Sequence, residues 1–267
     1  QFVVLSDGAI RNGYTVQDGV LRFHSAHAQL LDSLLDECPD QPRDFVAMRQ
    51  KFKSFYGVTL PAPPTGLTGA LRPYQREALG WFDFLAEFGF GGILADDMGL
   101  GKTVQALAWL LLFKERGCTG PSLVVGPTSL MFNWRDEAAR FAPDLRVLTY
   151  TGQGRAGLEE QFQEHDLVLT TYGLLRRDVE VLRAVEWTCL ILDESQAIKN
   201  PDSQTAKAAR VLRSGHRLCL SGTPLENRLG ELWSQMQFLN PGLLGSRKGF
   251  ETRFTRPLAQ GDAQVRD

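Results

Sequence analysis

From Leu71 to Leu220, short apolar runs alternate with longer stretches of helical spacing, and that alternation leaves few folds open. The runs are Gly92–Ala95, Leu123–Gly126, Arg146–Tyr150, Leu167–Thr171, Cys189–Asp193 and Arg217–Leu220. Between them, Lys102–Arg116, Leu130–Arg140, Leu174–Val185 and Gln204–Leu212 carry apolar residues three and four apart, and Tyr74–Glu87 leads in. Strands separated by helices are β-α-β units, which predicts an α/β domain with a mostly parallel sheet and helices on both faces. In such sheets ligands gather at the carboxyl ends of the strands. The chemistry is therefore expected just after Ala95, Gly126, Thr171, Leu192 and Leu220.

Composition is consistent with that fold. A hydrophobic fraction of 43% supplies a sizeable core, and 22% charged residues is ordinary for a globular chain. No apolar run approaches the roughly 20 residues that span a bilayer. The first residues lack a basic stretch followed by an apolar one, so a cytoplasmic location is expected. Cys38, Cys118, Cys189 and Cys219 are scattered without a C-x-x-C pair and read as reduced residues rather than a zinc site. The net charge of −2 means that any nucleic-acid surface must be a local patch. Arg176–Arg177, Lys207–Arg217 and Arg247–Lys248 are the candidates, although such clusters are more often simply solvated faces.

Residues 1–60 differ in style. Phe2–Leu5 has the makings of a short strand, and Ala28–Glu37 and Phe45–Tyr56 have helical spacing, so a small, mainly helical accessory segment is expected. Leu60–Gly69, LPAPPTGLTG, reads as a boundary, which places a linker at 61–70. The chain begins at Gln1 and closes on the polar stretch Ala259–Asp267, and is expected to be an excised part of a larger protein.

Gly92–Thr103 reads GILADDMGLGKT. A strand, a glycine loop and a helix opening with Lys102 and Thr103 present backbone N–H groups and a helix N-terminus to phosphate oxygens. Asp97, Met98, Gly99, Leu100 and Gly101 would form the cradle. Lys102 would reach the β- and γ-phosphates of ATP, and Thr103 would hold Mg²⁺. The strict loop pattern has Gly where this chain has Asp96. Cys189–Gln196, CLILDESQ, delivers two carboxylates at a strand end. Asp193 would position Mg²⁺ and Glu194 would orient or deprotonate the attacking water, although acidic pairs of this kind also begin helices. In Leu218–Asn227, Ser221, Gly222 and Thr223 follow a strand and could sense the γ-phosphate, or simply cap a helix starting near Glu226. In LRPYQ, Gln75 has the donor and acceptor that adenine N6–H and N7 require.

Taken in this order and spacing, the motifs resemble helicase superfamily two, and within it the SWI/SNF-type DNA translocases. LRPYQREALGW is similar to that branch's adenine motif, and LADDMGLGKT to its phosphate loop, acidic residue included. PTSLMFNWRDEAARFAP and LVLTTYGLLRRD resemble its nucleic-acid-facing motifs, LILDESQAIKN its DEAD/DEAH-like box, and LSGTPLENRLGELWSQMQFLNPGLLG its most branch-specific stretch. The resemblance spans about Leu71–Phe254 and implies a RecA-like motor lobe over 71–254, with 255–267 starting the connection to a second lobe.

Roles follow from the resemblance residue by residue. It implies that Arg72 and Gln75 hold adenine, and that Lys102, Thr103, Asp193 and Glu194 serve ATP and Mg²⁺. Gln196 would link the γ-phosphate to the inter-lobe cleft. Thr128, Ser129, Thr170, Thr171, Lys199 and Asn200 would touch the backbone of double-stranded DNA. Ser195 stands where the family often has Ala or Gly and, being small as well, is expected to change little. Nothing after Leu244 resembles the second motor lobe, whose arginines are worth about 10³–10⁵ in rate, so this stretch alone is expected to bind ATP and hydrolyse it slowly. The competing expectation is a nucleotide-gated module that docks on a protein partner such as a transcription complex, with residues 1–60 as the partner-specific part.

Overall fold

The computed structural model describes residues 14–17, 20–23, 58–152, 154–222 and 229–255. Six strands form one sheet: β3 (Gly92–Leu94), β4 (Ser122–Gly126), β5 (Val147–Thr149), β6 (Leu167–Thr171), β7 (Glu186–Asp193) and β8 (Arg213–Leu220). Their order is β3-β8-β7-β4-β6-β5, and every neighbouring pair is parallel. The six runs read from sequence all became strands of it.

The helices are α1 (Pro73–Phe88), α2 (Lys102–Glu115), α3 (Thr128–Phe141), α4 (Tyr172–Arg177), α5 (Val179–Arg183), α6 (Gln204–Val211), α7 (Leu229–Leu239) and α8 (Arg247–Phe250). Alternation within each strand sends side chains to opposite faces. Val124, Cys189 and Ile191 join α1, α2 and α3 in one buried cluster, whereas Leu123, Leu190 and Leu192 join α4, α6 and α7 in another. α2 packs against α1 on one side and α3 on the other, so Gln105–Phe113 are buried without interruption. The expected single helix over Leu174–Val185 is divided at Asp178, whose carboxylate is drawn out to Arg155 and Tyr150.

Two further features go beyond what the sequence led us to expect. In place of a free linker, residues 58–69 lie docked on the lobe. Thr65 Oγ1 and Gly66 N donate to Glu115 Oε1 (2.7 and 3.1 Å), Thr68 N donates to Phe141 O, and Leu67 packs on the core. The proline-rich strap makes an internal turn, Leu67 N donating to Pro64 O at 3.2 Å, while the N–H groups of Gly66 and Thr68 take partners from the lobe. At Gly80 the strap passes so close that a Cβ would stand 2.8 Å from Thr59 O. Among residues 1–57, what is described is a hairpin, β1 (Tyr14–Gln17) against β2 (Val20–Phe23), antiparallel with Gln17 opposite Val20. The intervening sequence Asp18-Gly19 is a strong hairpin signal that the helical reading passed over. Phe2–Leu5, Ala28–Glu37 and Phe45–Tyr56 lie outside the described residues.

Candidate nucleotide site

Strand register assembles the site. Leu94 of β3 pairs with Leu220 of β8, and Leu220 pairs with Asp193 of β7. The glycine loop, Ser221 and the acidic pair therefore leave the sheet side by side, all at its carboxyl end.

The loop from Ala95 to Gly101 ends in the N-terminus of α2, a 14-residue helix capped by no side chain. Its first N–H groups therefore lack intrahelical partners, and the positive end of the dipole faces the loop. Gly101, the N-cap, has φ 78°, and a Cβ there would meet Gln75 Nε2 at 2.7 Å, so only glycine fits. Lys102 Nζ donates to Asp96 O (2.7 Å) and Asp97 O (3.1 Å), neutral backbone acceptors, with the Asp193 carboxylate nearby. Asp96, where the strict pattern has glycine, takes Gln105 Nε2 on its carboxylate at 2.9 Å and braces the loop against α2. The uncapped helix end, Lys102 and the Thr103 hydroxyl together fit a polyphosphate and its cation. The buried Gln105 Oε1, which has no hydrogen-bond partner, adds a polar atom beneath the loop.

Gln75 is buried in α1 with both amide atoms engaged. Its Oε1 accepts from Arg72 N (2.9 Å), and its Nε2 donates to Leu100 O (3.1 Å), which also receives Tyr74 OH. In this arrangement Gln75 ties α1 to the glycine loop, with one amide hydrogen and one lone pair left for a base.

Asp193 is 7% exposed. Its Oδ2 accepts from Trp134 Nε1 (2.8 Å) and its Oδ1 from Glu194 N (2.9 Å). Burial raises its pKa above the ordinary aspartate value, and the Glu194 charge adds to this, against the two hydrogen bonds and the nearby Lys102. A carboxylate in that condition gains most from an added cation. Glu194 has φ 51° and ψ 56°, the one left-handed non-glycine residue among those described, a conformation costing on the order of 1 kcal/mol. Tyr172 OH holds this turn by donating to Asp193 O at 2.8 Å. Glu194 Oε2 accepts from Gln196 Nε2 (2.6 Å), and Gln196 Oε1 accepts from Ser221 Oγ (3.3 Å). A side-chain path thus runs from the acidic pair to the segment after β8. There a Cβ at Gly222 would come within 3.2 Å of Met98 Cγ in the loop. Thr223 lies outside the described residues.

The SNF2-related domain family matches residues 74–267. The chain belongs to the SNF2 family. It is an ATPase lobe of that family, similar over 194 residues, at 47% identity, to the putative ATP-dependent helicase/translocase YwqA of Bacillus subtilis. That match covers 71% of this chain and 21% of YwqA. It is 39% identical over 250 residues to the TATA-binding protein-associated factor mot1 of Schizosaccharomyces pombe, covering 86% of this chain and 13% of mot1. The Sulfolobus solfataricus SWI2/SNF2 ATPase core in complex with dsDNA has the same fold, with TM-score 0.73 and 42% identity over 78% of this chain and 43% of that one. The chain thus spans a minor part of each relative.

Within this SNF2 lobe the residues expected at DNA divide. Thr128 and Ser129 are exposed at the start of α3, which no side chain caps, and Lys199 and Asn200 are exposed beyond the acidic turn. Thr170 is fully buried and donates Oγ1 to Tyr150 O at 3.0 Å, and Thr171 accepts from Leu174 N as the N-cap of α4. The Thr170 hydroxyl is spent inside the fold, so its expected contact to DNA is corrected to a structural one, whereas Thr171 Oγ1 serves the fold only as an acceptor. Of the basic clusters, Arg176 and Arg177 are exposed, Arg247 pairs with Asp202 and Glu251, and Arg217 is turned inward to the carbonyls of Leu212 and Phe238. Trp134, Tyr172 and Gln105 were given no role from sequence. Trp134 and Gln105 sit at apolar-phase positions of α3 and α2, and only the folded chain shows their polar atoms reaching Asp193 and Asp96.

Proposed function

We propose that this chain is the ATP-binding lobe of a motor that hydrolyses ATP with Mg²⁺, translocates on double-stranded DNA and remodels or displaces bound proteins. The observation that carries this reading is the meeting, at one end of the sheet, of the uncapped α2 N-terminus, Lys102, and the acidic pair linked through Gln196 to Ser221. The loop residues Asp97–Gly101 and the α2 N–H groups bind the phosphates, and Lys102 balances charge on the β- and γ-groups. Arg72 and Gln75 lie beside the loop where the base would sit. Thr103 and Asp193 would hold Mg²⁺, which supplies charge neutralisation on the phosphate oxygens. Glu194 orients the attacking water and accepts its proton as the bond from the γ-phosphorus to the bridging oxygen breaks. Gln196, Ser221, Gly222 and Thr223 report that change toward a second lobe of the parent protein, whose arginines complete the site.

Duplex DNA is supported by the solved relative that holds it and by the exposed Thr128, Ser129, Lys199 and Asn200, which suit phosphate contacts without base reading. The name of mot1 favours a second reading, in which the nucleotide state gates docking on a transcription complex. A cytoplasmic location, nucleoid-associated if the protein is bacterial, belongs to the same proposal. ATP hydrolysis by the full-length protein and by this chain, with and without duplex DNA, separates the two. DNA-stimulated turnover, feeble in the chain alone and absent in Lys102→Ala and Glu194→Gln, is the expected result. ATP bound through Lys102 with no stimulation by DNA would instead support docking.

A further inference from the structure

The acidic pair stands on a left-handed turn, and one helix holds both ends of the turn that follows. Ser195, fully buried, donates Oγ to Gln235 Oε1 of α7 at 3.0 Å, and Gln235 is itself buried. The adjacent Ser234, also fully buried, donates Oγ to Ile198 O at 2.5 Å. Two consecutive residues of α7 thus clamp the first and last residues of the turn Ser195–Ile198.

The same helix is fixed to the strand that feeds the glycine loop. Asn240, just past its end, donates Nδ2 to Gly91 O (2.8 Å) and accepts from Gly91 N (2.9 Å), both buried. Arg217 of β8 donates Nη1 to Phe238 O at 2.6 Å. α7 therefore spans from the start of β3 to the acidic turn. An apolar contact would pack these elements equally well, but hydrogen bonds between buried groups are directional and costly to leave unmade, so they fix orientation.

We propose that Ser195 and Gln235, backed by Ser234, are positioning residues. Through them α7 sets the placement of Glu194 and Gln196 relative to the glycine loop. The inference rests on the ATPase reading above and assigns α7 no contact with nucleotide.

The test compares Ser195→Ala, Gln235→Leu and the double variant in the full-length protein, measuring kcat, KM for ATP and thermal midpoint. Gln235→Leu is expected to lower kcat by about tenfold with KM within about twofold, because the glycine loop is untouched and misplacement of a reacting group is costly; Ser195→Ala, which installs a residue common in the family at this position, should lower it less. Each single variant leaves a buried group without its partner and should melt lower. The double variant removes both members of the Ser195–Gln235 pair and should recover part of the lost midpoint while kcat stays low, the Ser195 contact to Cys219 being lost as well. Recovery of kcat together with the midpoint would show a merely structural link and overturn the proposal, as would a Gln235→Leu enzyme with parental kcat. Absence of ATP turnover in the parent protein is a different failure, since it sinks the ATPase reading itself.

Discussion

Asp166 and Asp193 stand at opposite ends of the same sheet, and their surroundings push their carboxyls in opposite directions. Asp166 precedes β6 at the amino end. Burial alone would raise its pKa, but hydrogen bonds from Arg146 and Lys114, with Arg146 N, hold it down to about 2. Asp193 closes β7 at the carboxyl end, where burial prevails over the indole of Trp134 and one backbone N–H, and its pKa rises. One end of the sheet has its charges matched. The other keeps a carboxylate under-compensated, an ammonium resting on carbonyls and a left-handed glutamate. Buried charge left in that condition marks the end where a charged ligand binds, whereas matched charge serves the fold.

The largest effects should come from the under-compensated end and should leave the fold intact. Lys102→Ala and Glu194→Gln are each expected to reduce ATP turnover by about 10²–10⁴, with the thermal midpoint nearly unchanged. Lys102→Ala should also abolish binding of a fluorescent ATP analogue, which Glu194→Gln should retain. Parental turnover in either variant would remove the basis for contrasting the two ends.

Isosteric amides at the two aspartates sharpen the contrast. Asp166→Asn should cost about 2 kcal/mol at neutral pH, the linkage equivalent of a carboxyl held well below its unfolded value. Because its folded pKa is depressed, that contribution is present above about pH 4 and is lost as pH falls toward 2, where variant and parent converge. Asp193 has the reverse sign. Its folded pKa is raised, so its ionisation opposes folding as pH climbs, and relief of that charge offsets the lost acceptor in Asp193→Asn. Urea unfolding should therefore find Asp193→Asn within about 1 kcal/mol of the parent at pH 7, although its ATP turnover is lost. Equal destabilisation by the two amides would contradict the comparison.

Periodicity made the sheet legible, since all six apolar runs are strands and their buried residues divide between two clusters on opposite faces. The glycine loop and the acidic pair were legible because their chemistry is local: a few consecutive residues suffice to make a cradle or a strand-end carboxylate. What depends on distant residues was not. Thr170 and Ser129 are both small hydroxyl residues near strand ends, yet one is sealed against Tyr150 O and the other exposed. Asp178 interrupts a helical pattern because Arg155, remote in sequence, draws its carboxylate away. The proline-rich strap reads as a linker because the partner that fixes it, Glu115, lies 50 residues downstream at the end of α2.

Trp134 is where the missed contacts bear on the site. Trp134→Phe keeps an aromatic ring in the core while removing the N–H that reaches Asp193 Oδ2. Loss of a group that orients a candidate metal ligand should weaken the Mg²⁺ dependence of turnover by about tenfold, read as a shift in the Mg²⁺ activation curve. The Asp193 carboxyl, deprived of one hydrogen bond, should titrate higher still, moving the acid limb of the pH–rate profile to higher pH. An unchanged activation curve would confine Trp134 to packing.

The smallest effect concerns the strap. Glu115→Ala removes the acceptor shared by Thr65 Oγ1 and Gly66 N. The carboxylate is solvent-screened, so the loss in global stability should stay under about 1 kcal/mol. Local opening is a more sensitive measure than the melting midpoint, because Thr68 N on Phe141 O and Leu67 on the core hold the same segment only at neighbouring points. Limited proteolysis should therefore cut the Glu115→Ala protein several-fold faster within residues 58–70, with the rest of the lobe equally protected. Equal rates in parent and variant would mean that Leu67 and the Gly80 approach hold the strap, and that Glu115 adds nothing to docking what precedes the lobe.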